Sequence, residues 1–382
     1  MNKVTTLNFY KKSLDGLRGL ASLNVALSHF FGAFLPTVLH SNYPNVFHGG
    51  LENAYTDIIG SPLATIFFNG HFAVLLFFVL SGYVLSLPYY HNINYISLLK
   101  SRIWRRFFRL NLPIIAAVFI SFFVYEFIGY SNIEAGRVSG SQWLVNFLKP
   151  NLTLNQAAYE AFYGVIIDGA ANFVPPLWTI KIEFFGSLYV LFYLIAKPKD
   201  KFILSLFIVF IFILLNHSKD EAMYILALFS GAFLPVVKNI RRIHALLLFF
   251  LGLYFAAFQY DSFFYNFLPT IKFFSLELSE RKNIYNFFGA IFMIIAVSNG
   301  VASRLLNSNV CALLGRLSYS IYLVHFVVIC SFSSCLYLLL PKSFGYLLLN
   351  LLFYIVVLIV FASIFERYID RTSVALSRFL FR

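Results

Sequence analysis

The sequence predicts an all-α membrane protein, a polytopic helical bundle of about ten transmembrane helices, and three observations carry that prediction. Hydrophobic residues fill 60% of the 382 positions and charged residues only 12%, about half the charged share of a soluble domain. The apolar residues fall in long runs separated by polar stretches, and about 20 such residues let an α-helix cross a bilayer. The basic residues gather on one side of the resulting bundle, as membrane topology requires.

Ten runs qualify as spans: about 16–40, 64–88, 111–129, 176–196, 202–217, 222–237, 244–260, 284–300, 318–340 and 344–365. The sixth and seventh are short for a span, and Pro235 should end or kink the sixth. The stretch 261–283 is aromatic, broken by Pro269 and charged, so it reads as an interfacial segment. Ten spans put both termini on one side. That side collects 20 of the 29 Lys and Arg residues; the opposite side has seven, and Arg18 and Lys181 lie within spans. Both termini are therefore expected in the cytoplasm. The formal charge of +13 follows from topology, so no nucleic-acid partner is expected.

Lys3, Lys11 and Lys12 before an apolar run resemble a signal peptide. The run contains Arg18 and His29 and lacks a small-residue cleavage site, so it reads as a retained first helix. The three cysteines, Cys311, Cys330 and Cys335, have no zinc-like spacing with histidine and read as packing residues. No internal repeat or appended soluble domain is evident, so residues 1–382 read as one membrane domain. Two outer loops, 41–63 and 130–175, are long. Long loops often carry function, and these are placed to receive a substrate from the far side.

Polar residues inside apolar runs are the candidates for chemistry, because charges in a membrane are costly. Arg18 and His29 lie eleven residues apart in the first run. That spacing is about three helical turns, which puts both on one face and roughly 16.5 Å apart along the axis. A snorkelling arginine and a histidine tucked between helices would fit the spacing equally well. Asp15 can pair with Arg18, and imidazole suits general-base work near neutral pH. Arg102, Arg105, Arg106 and Arg109 recur at helical spacing before the third span. Such a stripe can grip phosphates by bidentate bonds, or serve as a basic cluster at anionic lipid. Ser81-Gly82 permits close helix approach and one polar contact. Glu183 enters a span near its outer end with Lys181 close by, either to assist a base or to partner a buried cation. Residues 314–325 read as a cytoplasmic turn leading into a helix with Tyr319, Tyr322 and His325, whose bland role is packing.

Taken together and in order, these segments resemble the acyltransferase-3 family of integral membrane acyltransferases. The resemblance rests on Leu14-Asp15-Gly16-Leu17-Arg18-Gly19-Leu20-Ala21 with its cation before His29, and on the Phe-Phe-x-x-Ser-Gly run at 77–82. The arginine stripe, Leu177-Trp178 through Glu183, and Gly315-Arg316 through Tyr319, Tyr322 and His325 complete it. It covers roughly 14–366. Two positions depart from the commoner pattern: Phe184 follows Glu183 where a second acid is frequent, and Lys181 replaces a small or apolar residue.

The resemblance implies a ten-helix O-acyltransferase, usually an acetyltransferase, of a bacterial inner membrane. It would take the acyl group from cytoplasmic acyl-CoA (acetyl-CoA) and deliver it to a hydroxyl of a surface carbohydrate or glycolipid such as lipopolysaccharide, with no metal. The catalytic residues expected are His29 as general base, Arg18 at the mouth and Glu183 orienting base or acceptor. The donor would be held by Arg105, Arg106 and Arg109, with Ser81, Tyr319 and His325 lining its cavity. A covalent acyl-His29 is a variant of the same chemistry. A lipid-linked-sugar transporter or flippase would use the same buried charges without consuming a thioester. In a structural subunit, Arg18→Ala and His29→Ala would cost folding alone.

Overall fold

The computed structural model describes residues 3–47, 54–90, 95–148, 151–196, 219–260, 262–269, 272–273, 276–277 and 281–380. Ten helices are its main elements. They are α1 (Lys3–Phe34), α2 (Gly70–Tyr90), α3 (Tyr95–Phe127), α4 (Trp178–Ala196) and α5 (Lys219–Phe233). The others are α6 (Arg242–Ala256), α7 (Arg281–Ser298), α8 (Asn309–Val328), α9 (Phe344–Phe365) and α10 (Arg371–Leu380). The one strand pairing among the described residues is a two-residue antiparallel ladder, with Lys272 opposite Glu277 and Phe273 opposite Leu276.

The all-α architecture is the one the apolar runs predict. Five described helical stretches are long and apolar enough to cross a membrane: Gly70–Tyr90, Ile103–Phe127, Pro175–Leu194, Asn309–Leu339 and Phe344–Leu380. Glu221–Val236 and Arg242–Ala256 are apolar but shorter, as expected for the sixth and seventh runs. Helix α1 is absent from the five because Asp15, Arg18, Asn24 and His29 interrupt its apolar run. The expected span at 202–217 lies outside the described residues.

Three boundaries differ from the sequence reading, each for a local reason. Helix α1 stops at Phe34 rather than near residue 40, where Pro36 opens a separate short turn, Pro36–Leu39. The arginine stripe does not precede the third span: α3 runs unbroken through it, with Pro113 accommodated inside the helix, as membrane helices allow. Gly315 and Arg316 form no turn, because they sit inside α8. Pro235 does end α5, which closes in the short turn Leu234–Val236.

The described chain divides into two compact units. The first comprises Met1–Ala21, His71–Ile103 and Ile182–Gly315; the second comprises Ser22–Gly70, Trp104–Lys181 and Arg316–Arg382. Close backbone packing holds the first unit together. A Cβ at Gly82 of α2 would overlap the Leu228 carbonyl of α5, and one at Gly231 of α5 would overlap the Val79 carbonyl of α2. Gly19 of α1 and Gly315 of α8 are likewise pressed against each other's helices. Lipid tails are as apolar as leucine, so contact of this kind, rather than exclusion of water, drives helices together in a bilayer.

The second unit is built around the last turns of α1. Phe30 stacks on Tyr354 of α9, whose hydroxyl donates to the Ala26 carbonyl at 3.2 Å. The terminal carbonyls of α1 would lack intrahelical partners. Ser141 Oγ donates to Gly32 and Ser139 Oγ to Ala33, each at 2.6 Å. The loop at 139–141 is thereby fastened to the helix end that carries His29.

Gly82→Ala should cost about 1–3 kcal/mol, the range for an overpacked contact. In detergent this appears as a lower Tm than wild type. Gly345→Ala, where a Cβ meets nothing within 4 Å, is the control. Equal Tm values for both variants would refute the close-packing account.

Candidate active site

His29 lies half-buried in the second unit, and its partner is His325, which is fully buried in α8. Nδ1 of His29 is 2.8 Å from Nε2 of His325, and the two rings stack with centroids 5.0 Å apart. The second nitrogen of His325 fixes the direction of that bond. Nδ1 of His325 is 3.0 Å from the Ile321 carbonyl, and a carbonyl only accepts, so Nδ1 carries the hydrogen. In neutral rings Nε2 of His325 must then accept, and His29 must donate from Nδ1. Nε2 of His29 is left with its lone pair. Among the described residues that nitrogen has no hydrogen-bond partner.

The surroundings of this pair include residues of both long loops, 41–63 and 130–175. Trp143 approaches the His29 ring at 5.3 Å, and Phe47 approaches Trp143 at 5.9 Å. Phe326 stands edge-on to His29 at 5.7 Å. One turn before His325, Tyr322 donates to the Pro176 carbonyl at 2.8 Å and shares a 2.8 Å hydrogen bond with Thr179. The segment leading to the Pro176 turn is held in turn by the loop before it. Buried Glu160 accepts from the Asn172 amide, the Asn172 side chain and the Phe173 amide at 2.9–3.1 Å. Ser121 Oγ donates to the Phe173 carbonyl at 2.6 Å and bonds the Tyr130 hydroxyl at 2.9 Å. Burial pushes the Tyr130 phenol well up, so it stays a neutral donor and acceptor.

The remaining predicted residues of this unit lie on α3 and α8. Arg105 and Arg106 are half-buried and Arg109 is exposed. The Phe108 and Arg109 carbonyls accept from Ser373 of α10 at 3.1 and 3.3 Å. Tyr319 Oη donates to the Leu110 carbonyl at 3.0 Å, tying α8 to α3 just beyond the stripe.

Arg18, Ser81 and Glu183 belong to the first unit. Arg18 pairs with Asp15 at 3.3 Å, as the i, i+3 spacing predicts, and donates to the Gly315 carbonyl at 3.2 Å. Ser81 Oγ donates to Glu183 Oε1 at 3.2 Å. Cys311 and Cys330 are buried free thiols and Cys335 is an exposed one.

Sequence reasoning singled out His29 and His325 separately but did not pair them, because 296 positions separate them. It missed Trp143 and Phe47 altogether and counted Glu160 only among several acids of the long loops. Their signal was weak: two aromatics and one acid among many in loops noted for length and acidity.

A charged and polar set embedded in a multi-pass helical chain is the architecture of a membrane-embedded enzyme. The chain belongs to the acyltransferase-3 family: the family model described as an acyltransferase domain matches residues 11–366, which include every site residue expected from the sequence. It is accordingly a membrane acyltransferase. No curated protein and no solved structure matches the chain.

Glu160→Gln turns one acceptor oxygen into an NH2 group facing buried donors. The expected cost is about 1–3 kcal/mol, seen as a lower Tm and faster proteolysis within 151–172. Unchanged Tm and cleavage would show that the carboxylate does not hold this loop.

Proposed function

We propose that this protein transfers an acetyl group from cytoplasmic acetyl-CoA to a hydroxyl of a cell-surface glycan or glycolipid, in a bacterial inner membrane. The observation that carries the proposal is the 2.8 Å contact between His29 and His325. It supports His29 as general base, because the base in such reactions needs a free lone pair and a fixed ring.

In this reading Nε2 of His29 removes the proton from the acceptor hydroxyl. The hydroxyl oxygen then bonds to the thioester carbonyl carbon. As the carbon–sulfur bond breaks, His29 returns its proton to the departing thiolate, and an ester and a free thiol result. His325 is a positioning residue: its Nε2 accepts the Nδ1 hydrogen of His29 and favours the imidazolium that forms in between. The role is that of the carboxylate in a serine-protease triad, with a weaker acceptor. We assign orientation of the base to His325, the residue hydrogen-bonded to it.

Arg105, Arg106 and Arg109 are the phosphate-binding residues of this proposal. They share one helix with Leu110, to which Tyr319 is tied. Guanidinium groups suit planar, bidentate contact with phosphate oxygens. Arg18 adds positive charge on α1. Ser81 and Glu183 form a polar pair that serves binding rather than proton transfer.

The test is acetyl-CoA turnover by purified protein with membrane glycans supplied. His29→Ala should lower kcat on the order of 10²–10⁴-fold. His325→Ala should give a smaller loss in kcat with little change in KM, and His325→Gln, which keeps an acceptor, should recover part of it. Arg106→Ala and Arg109→Ala should instead raise KM for acetyl-CoA. Wild-type turnover undiminished in His29→Ala would eliminate the histidine mechanism.

A further inference from the structure

Helix α10, in the second unit, buries polar residues and exposes apolar ones. Ser373 and Ser377, one turn apart, are 1% and 3% exposed. Ser373 Oγ donates to the Phe108 and Arg109 carbonyls of α3 at 3.1 and 3.3 Å, so the serine face is the one packed on the protein. Leu376, Phe379 and Leu380 are exposed, Phe379 at 72%. A surface helix in water has the opposite arrangement, with its apolar stripe turned to the core.

The exposed residues of α10 are sorted by chemistry. At about 100° per residue, Phe379, Leu376 and Leu380 fall within one arc of about 100°. Arg371 and Arg378, two turns apart, lie on one line along the far side of the helix, and both are exposed. Arg371 pairs with Glu366 of the preceding turn at 2.7 Å, and Arg378 stands in the last turn of α10. The serine face lies between the two groups. Helix α10 therefore rests on α3 with an apolar flank on one side and a basic flank on the other.

The fold sets this helix at the level of a bilayer surface. Helix α9 has 22 residues, about 33 Å of length, which matches the ~30 Å hydrocarbon core. Helix α10 follows after the single turn Glu366–Asp370, so it starts where that core ends. Ser373 meets α3 at Phe108 and Arg109, near the basic end of the apolar stretch Ile103–Phe127. Tyr368, in the turn before α10, and Trp104, one turn before Phe108, are both exposed. Tyrosine and tryptophan concentrate at the headgroup level of membrane proteins.

We propose that α10 is an anchor for an anionic membrane surface: Leu376, Phe379 and Leu380 enter the boundary between headgroups and acyl chains, and Arg371 and Arg378 meet lipid phosphates. A guanidinium grips a phosphate by paired N–H bonds, and an amphipathic helix with a basic flank lies in such an interface. A protein partner would have to match an apolar strip and a basic strip on opposite flanks of one helix. A leaflet of anionic lipid presents acyl chains and phosphates together. Because Ser373 holds the Phe108 and Arg109 carbonyls, the anchor also keeps the arginine stripe at that surface. Lipid binding by α10 does not depend on acyl transfer.

The test is hydrogen exchange of the amides of 371–380 in full-length protein, in nanodiscs of phosphatidylcholine with and without phosphatidylglycerol. Phosphatidylglycerol should slow exchange about fivefold or more, the factor for the ~1 kcal/mol of one arginine at an anionic surface, and added salt should reverse the gain. Arg378→Glu should abolish it. Leu376→Ser combined with Phe379→Ser should speed exchange in both lipids, while protection within α8 and α9 stays at the wild-type level and reports an intact fold. Equal exchange in the two lipids, or a gain that survives Arg378→Glu, overturns the anchor. Protection of 371–380 that rises with the number of copies per nanodisc, together with cross-linking between them, would give the apolar flank to a second copy and overturn the lipid assignment.

Discussion

A bilayer offers no water, so each polar side chain on the first helix must find its partner inside the protein. That constraint organises the structure around α1. Arg18 takes Asp15 and the Gly315 carbonyl. Asn24 donates to the Ile66 carbonyl at 2.6 Å, and His29 takes His325. The carbonyls at its end take Ser139 and Ser141. Apart from the Asp15 pair, these bonds tie α1 to α8, to Ile66 and to the loop at 139–141, so the polar residues that weaken the helix as a membrane span fix its neighbours.

The same constraint bears on why the mechanism proposed above uses one of these contacts and not the others. A guanidinium only donates and an amide is too weak a base to take a proton, but a neutral imidazole has one nitrogen that can take a proton near neutral pH. His325 spends both nitrogens, one on the Ile321 carbonyl and one on His29. His29 spends only one. The chain of bonds therefore ends in a lone pair in a cage of Trp143 and Phe326 rather than in a closed network. The Glu160 clamp and the Tyr322 tie act two steps back, by holding the backbone on which His325 stands.

Much of this was legible in the sequence, and the illegible part has a physical cause. The apolar runs marked the helices because a span needs about 20 residues of one character, and Arg18 and His29 stood out because charge there is expensive. The i, i+3 pairing of Asp15 with Arg18 followed from helix geometry alone. The His29–His325 bond did not, since no local rule reaches across 296 positions. Boundaries failed where a breaker was overlooked, at Pro36, or overrated, at Gly315. Glycine in α8 is a contact surface for Asp15 and its neighbours, not a turn. Glu160 stood out only as one loop acid among several, because an acid in a polar loop looks solvated until the donors of Asn172 and Phe173 are placed around it.

Arg281 and Lys282 show how far residue chemistry reaches beyond charge count. The two are adjacent and equally basic, yet they are not interchangeable. A guanidinium is a planar fork, suited to bridging the Tyr265 and Leu268 carbonyls while its face rests on Phe258. An ammonium is a compact point charge on a flexible stem. Exchanging the two identities would preserve the net charge of α7, but the ammonium at 281 would lose the bridge between carbonyls. The order of these two cations, more than their presence, holds the turn before α7.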